Sequence, residues 1–386
     1  MDLGHQPPAN SIYPPAAEEP PAIPLRLVFC HECSTTQIGE SVDPQYLFSQ
    51  YVWVTGTSST AVDYSHQFAR GALARCGMKT PFVVEIASND GTFLKRFQEK
   101  DCRVLGIDPA ENLAQEATNS GVSTTARFFN QELAAELLEE QGTANLVIAR
   151  NVIPHVKEIH SVIKGISILL DLNGTGIFEF HDNRLIQEEL QYDYIYHEHL
   201  FYYSLASIGK LLSWHGLEIF DVTRSPISGG SWVVYFSKSR KEKSIAFKNA
   251  EKEESQTGVN SLENWLRFRK NAELHKEQLR EILSSSKKMI LAYGASARSS
   301  TLLNYCRINH KHVLAIIDKN PLKHGMISPG SKIPIISYEE ATPQLNNHDR
   351  ILLLAWNFRE EILDDLRKSG YKGKFIIPLP GDTRIQ

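Results

Sequence analysis

The stretch TPFVVEIASNDGTFLKRF, residues 80–97, constrains the fold more than any other part of the chain. Phe82 to Ile86 is a short apolar run, small and polar residues follow at once, and an amphipathic helix starts near Thr92. CRVLGIDP, ANLVIARNV and GTGIFEFHD repeat the strand signal with helical stretches between them, the pattern of a parallel sheet covered on both faces. LEIFDV and SWVVYFSK then close this sheet with an antiparallel hairpin. The same logic returns in KKMILAYGASARSSTLLNYC, HVLAIIDKNPLKHG, DRILLLAWNF and KGKFIIPLP. The expected fold class is therefore α/β, with two Rossmann-like doubly wound sheets. A Pro-rich segment at 1–58 precedes the first unit at 59–238, a charged helical connector covers 239–287, and the second unit runs from 288 to 386.

A chain of 386 residues with 42% hydrophobic and 22% charged residues has the make-up of a multidomain globular enzyme. Lys+Arg 41 against Asp+Glu 45 leaves a net charge of -4 and no basic stripe, so nucleic acid is not an expected partner. No apolar run approaches the ~20 residues of a membrane span, and the start MDLGHQPPANSIYPP lacks the regions of a signal peptide. A cytoplasmic protein, monomer or homodimer, is expected, with its Cys 5 count read as reduced thiols. Cys30 and Cys33 form a CxxC, which is half of a tetrahedral zinc site; His5 and His31 are candidate additions, and a metal-free thiol pair is the other reading.

In a doubly wound sheet ligands bind at the carboxyl edge of the strands. Glu85, Ala87, Ser88, Asn89, Asp90 and Gly91 make up the end of the first strand and its turn. Asp108 ends the second, close to the ~20-residue offset at which an acid takes ribose hydroxyls. A dinucleotide would want a GxGxxG turn of bare amides, whereas EIASNDG has one glycine and two acids in that turn. Acids suit the ammonium and sulfonium of S-adenosylmethionine, so this cofactor is expected, with Glu85 and Asp90 near its methionyl end and Asp108 on the ribose. Asp90 reads equally as a helix cap. Asn151 and His155, in RNVIPHV, fall on the same edge.

YDYIYHEHLFYYS, residues 192–204, sets Tyr196, His197, Glu198 and His199 side by side, where no single helix or strand face buries them all. As an isolated segment it reads as an aromatic core linker; beside a cofactor edge it reads as a catalytic motif. Metal binding by His197, Glu198 and His199 is disfavoured because adjacent residues rarely converge on one ion. In the second unit Gly294, Arg298, Ser300 and Thr301 lie in the turn and helix start of YGASARSST, where amides and a guanidinium suit a pyrophosphate, and Asp318 ends the next strand.

VEIASNDGTFL, RNVIPHV, YIYHEHLFYYSL, ISGGSWVVYF, YGASARSSTLLNYC, ISPGSKIPI and LLLAWNFREEI stand in the order and at about the spacing of the nucleotide-sugar C-methyltransferases of deoxysugar biosynthesis, which the chain resembles from DLGHQPPANS onward. The resemblance implies a small zinc-binding N-terminal domain, a central S-adenosylmethionine domain and a C-terminal Rossmann-like domain that holds the substrate. It implies a nucleoside-diphosphate 4-keto-deoxyhexose methylated beside its ketone. His199 would be the base, Tyr196 and Glu198 its partners, His155 a further active-site residue and Tyr51 a substrate contact. This chain departs from the family's usual residues at Ser228, Trp232-Val233 and Arg298-Ser299, and only the Cys30–Cys33 pair of the family's two CxxC pairs is present. Transfer to oxygen or nitrogen, and non-catalytic binding of a sugar nucleotide, are the competing readings.

Overall fold

The computed structural model describes residues 1–43, 54–225, 230–286 and 288–386. Its centre is a seven-stranded sheet built from β4 (Phe82–Ile86), β5 (Arg103–Ile107), β6 (Thr124–Thr125), β7 (Ala144–Arg150), β8 (Leu170–His181), β10 (Glu218–Ser225) and β11 (Ser231–Ser237) in the order β10-β11-β8-β7-β4-β5-β6. β4 to β8 pair in parallel, while β11 runs antiparallel to both β8 and β10.

Side-chain alternation explains why the strands read as unbroken apolar runs. Val84, Ile86, Val147, Ala149 and Phe178 enter one core layer, while Val83, Leu146, Ile148 and Ile177 enter the other. Helices cover both faces, so both sets of side chains must be apolar. Helix Ser59–Cys76 packs on the second layer through Tyr64, Phe68, Ala69 and Ala72; it starts on the Ser58 hydroxyl and stops at Gly77, φ +72°.

The second sheet comprises β12 (Ile290–Tyr293), β13 (Val313–Ile317), β14 (Ile335–Ile336), β15 (Arg350–Leu353), β16 (Lys374–Ile377) and β17 (Arg384–Ile385), ordered β14-β13-β12-β15-β16-β17. All its pairings are parallel except β16 with β17. The charged connector consists of two helices, Ile245–Thr257 and Leu262–Ser284, separated at Gly258, φ +68°.

The N-terminal strands β1 (Asp2–Gln6), β2 (Ile23–Phe29) and β3 (Thr36–Ile38) form an antiparallel sheet whose fourth strand is β9 (Phe201–Tyr202). The central histidine-rich motif thus supplies an edge of the N-terminal sheet. Leu25 and Leu27 share one continuous core with Tyr192, Tyr202, Trp265 and the strands of the second unit. All five cysteines are free thiols, and no helix among the described residues is long and apolar enough to cross a membrane.

Candidate active site

In the first sheet the strand order reverses between β4 and β7, which opens a crevice at their carboxyl ends. The chain leaves β4 through Ala87 and Asn89, both at φ +54°, and Gly91 at +78°; β7 runs into Asn151 at +51°. Positive φ is disfavoured for side-chain-bearing residues and concentrates at functional turns. Asp108 holds this turn by accepting the N–H of Asn89 at 2.8 Å and that of Ala110 at 2.9 Å. Burial still pushes its carboxyl above the ordinary range, against the pull of those two bonds.

Asp90 has two backbone partners. It accepts the Thr92 N–H at 3.2 Å and the Gly56 N–H at 2.8 Å, while Asn89 accepts the Thr55 N–H at 2.9 Å. Asp90 is thus a helix cap and a clip for the 55–57 turn, so any methionyl contact would be additional to these bonds. Glu85 lies beneath the edge, 2% exposed, with Arg150 4.0 Å away. Burial raises its carboxyl to about 8, Arg150 pulling the other way. Arg150 is itself claimed by Glu179 at 2.7 Å and stacks on Phe93.

These residues fit S-adenosylmethionine. Glu85 Oε2 and Ser88 Oγ are buried acceptors without a hydrogen-bond partner among the described residues. Gly106 keeps the space beside Ser88 open, since a Cβ there would come within 2.5 Å of Ser88 Oγ. The acids, the small side chains and the upturned backbone make an edge matched to a cationic, hydroxyl-bearing ligand.

The 192–203 segment fills the junction of the three parts of the chain. His199, 3% exposed, has its Nδ1 2.9 Å from the Tyr194 carbonyl and its Nε2 2.7 Å from the Tyr196 hydroxyl. A carbonyl only accepts, so Nδ1 carries the proton and Nε2 turns its lone pair to the Tyr196 O–H. Burial holds His199 well below the ordinary histidine pKa, and the neighbouring His155 adds to the effect. The His155 ring stands edge-on to His199 with centroids 4.8 Å apart, its Nδ1 2.7 Å from the Glu198 carbonyl. Burial lowers His155 to about 4.

The side chain of Glu198 is bonded to the N-terminal segment and not to the His199 imidazole, whose partners are Tyr194 and Tyr196. Both its oxygens are held by Asn10 Nδ2, at 2.7 and 2.9 Å, and burial raises its carboxyl to about 7. Of the two roles expected for Glu198, orienting the imidazole or holding the substrate, the first falls to the Tyr194 carbonyl. His197 has its Nε2 3.2 Å from the Pro24 carbonyl in the N-terminal sheet.

At the second switch point, between β12 and β15, Gly294 lies at φ +96°, and a Cβ there would sit 2.4 Å from that of Ala355. Asp318 accepts the Ala295 N–H at 2.8 Å. Ser300 is buried and lines a cleft with Asn10, Ser296, Asn320 and Lys323. Arg298 departs from the expected pyrophosphate contact. Its guanidinium grips Asp193 through two bonds, 3.0 and 2.9 Å, and stacks 4.4 Å from the Trp356 ring centroid. A phosphate would have to compete with a buried carboxylate already in place.

Tyr51 lies outside the described residues. Cys30 and Cys33 sit at one turn, the Cys33 N–H lowering the Cys30 thiol, but no group of three metal-ligating side chains forms among the described residues; neither His5 nor His31 completes a set. Two thiols do not make a tetrahedral zinc site. Sequence reasoning missed Asn10 and Asp193. Asp193 carried one signal, an acid inside an aromatic run with no cation beside it, which requires a partner from afar.

A doubly wound seven-stranded sheet with an acid-bearing turn and a ribose-type acid at its switch point defines an S-adenosylmethionine-dependent methyltransferase. Three family models match in succession: "Putative zinc binding domain" over residues 1–48, "Methyltransferase domain" over 64–222 and "C-methyltransferase C-terminal domain" over 226–380. C-methyltransferase NovU of Streptomyces niveus is 33% identical over 364 residues, 92% of this chain and 86% of that protein. The chain belongs to this C-methyltransferase family. Among solved structures, magnesium protoporphyrin IX methyltransferase from Synechocystis PCC 6803 with bound SAM covers 47% of this chain and 80% of its own, at 16% identity and TM-score 0.36. A S-adenosylmethionine-dependent methyltransferase from Clostridium acetobutylicum ATCC 824 covers 46% and 92%, at 12% identity and TM-score 0.38.

Proposed function

We propose that this C-methyltransferase acts on a nucleotide-linked 4-keto-deoxyhexose, methylating the carbon beside the ketone through an enolate. The observation that carries the reading is the Tyr196–His199 pair: an imidazole whose unprotonated Nε2 accepts the hydroxyl of the half-buried Tyr196. A proton beside a ketone is only weakly acidic, so a base worth ~10²–10⁴-fold needs help from a donor to the developing oxyanion, worth ~2.7–4 kcal/mol. His199 Nε2 takes the proton from carbon, forming N–H as C–H breaks. The Tyr196 O–H, released from Nε2, turns to the enolate oxygen.

S-adenosylmethionine, bound at the first switch point, supplies an electrophilic methyl group on sulfur. Asp108 fits its ribose, and the orphaned oxygens of Glu85 and Ser88 suit its polar end. His155 stands edge-on beside His199, and Glu198, its carboxyl raised to about 7, would hold a substrate hydroxyl or amine in exchange for its bonds to Asn10. The cleft at Ser296, Ser300 and Lys323 suits the nucleotide.

His199→Asn tests the assignment. Methyl transfer and solvent deuterium exchange at the carbon beside the ketone should both fall by ~10²-fold or more, with S-adenosylmethionine affinity kept. Exchange that survives in this variant removes His199 as the base; transfer to oxygen or nitrogen, which needs no exchange, would then be favoured.

A further inference from the structure

Helix Ala297–Tyr305 of the second unit starts on the Ser296–Ser299 capping box. Arg298 and Thr301, three residues apart and so on one face of this helix, reach out of their domain to grip the chain on either side of Tyr194. Arg298 makes the two bonds to the fully buried Asp193, and Trp356 Nε1 donates a third at 2.8 Å. The Thr301 hydroxyl donates to the Ile195 carbonyl at 2.9 Å. Between these grips lies Tyr194, whose carbonyl receives the His199 Nδ1–H and whose ring packs between His181 and His199, 4.2 Å from each.

The geometry points to Arg298, Thr301 and Trp356 as positioning residues: by fixing residues 193–195 they aim the Tyr194 carbonyl at Nδ1 and so hold His199 in the tautomer whose Nε2 accepts a proton. A buried ion pair is a poor stabiliser compared with well-packed apolar groups, because both charges lose their water. A bidentate one with a third donor does fix direction, however, since the planar guanidinium permits one approach to the carboxylate. None of the three residues touches the reacting atoms in this arrangement. They act through one carbonyl, and they belong to the domain that faces the nucleotide cleft.

The inference rests on His199 as the base, and its test reads the tautomer directly. In the full chain labelled with ¹⁵N-histidine, the His199 signals are those that vanish in His199→Asn. The wild type should show Nδ1 protonated and Nε2 bare. Arg298→Gln and Thr301→Val should each populate the Nε2–H form and lower kcat by at least ~10-fold, the scale of a small misplacement, while the KM for S-adenosylmethionine stays within about twofold. Arg298→Lys, which cannot make the fork, should restore less than half of the lost kcat. A fall in kcat with the tautomer unmoved, or a moved tautomer with kcat kept, overturns the inference. Should Arg298→Gln not fold, Trp356→Phe removes one donor while keeping the ring, and the same two readouts judge it. Failure of His199 as base shows separately, as exchange surviving in His199→Asn.

Discussion

The two doubly wound sheets solve one local problem in the same way and then diverge. In each, an acid at the end of the second strand accepts the N–H of the turn after the first: Asn89 to Asp108 at 2.8 Å, and Ala295 to Asp318 at 2.8 Å. At the first edge, however, Glu85 Oε2 and Ser88 Oγ have no hydrogen-bond partner among the described residues, whereas at the second the helix start grips residues 193–195. One sheet keeps its switch point for a ligand. The other divides it between a cleft and the anchoring of residues 193–195.

Glycine substitutions should separate the two most sharply. Gly294→Ala adds a Cβ against the Ala355 backbone at positive φ and should destabilise the protein by roughly 3 kcal/mol or more, read as a fall in Tm. Gly106→Ala meets first the movable hydroxyls of Ser88 and Thr124 and then the Ser88 Cβ at 3.1 Å, but no backbone atom among its nearest contacts; it should cost about 1–2 kcal/mol and weaken S-adenosylmethionine binding in calorimetry. Equal losses of Tm would break the contrast.

Next in size is the acid pair. Asp108→Ala removes the acceptor of both the Asn89 and the Ala110 N–H, at about 1–3 kcal/mol for each bond, and should weaken S-adenosylmethionine by ~10-fold or more. Asp318→Ala should leave that affinity unchanged and weaken binding of the proposed sugar nucleotide instead. An equal effect of both on the cofactor would show that the two edges are not separate in function.

The smallest expected effect is acid sensitivity arising in the first region. His155 titrates near 6.5 when unfolded and at about 4 when folded, so the unfolded chain takes the proton first. The stability tied to its neutrality is complete above pH 6.5 and is lost as the pH falls toward 4. The loss should be roughly 1–2 kcal/mol after allowance for its partial exposure. His155→Gln should flatten the Tm–pH curve over that window.

The parallel strands were legible because burial on both faces leaves an apolar signature along the sequence, as in Phe82–Ile86 and Ala144–Arg150. The turn residues and the ribose-type acid could be located for the same reason: the strand ends fix their places. What could not be read depends on distant pairing. β9 has two residues and no pattern of its own until it meets Thr36 and Gln37. Asn10 finds Glu198, and Arg298 finds Asp193, only in the folded chain. Arg298 looked like a phosphate contact because its helix start is a common anion site, and nothing near it in sequence announced a buried carboxylate.

The late edge strand has a consequence for synthesis. The sheet begun by Asp2–Gln6 pairs Thr36 with Tyr202, so it stays open until the ribosome has made the intervening chain, on the order of ten seconds at ~5–20 residues per second. Throughout that interval the β3 edge is exposed to any other nascent strand. The segment that carries the proposed base is also the one that closes the sheet of β1 to β3, so a polypeptide halted before Tyr202 would leave that sheet without its fourth strand.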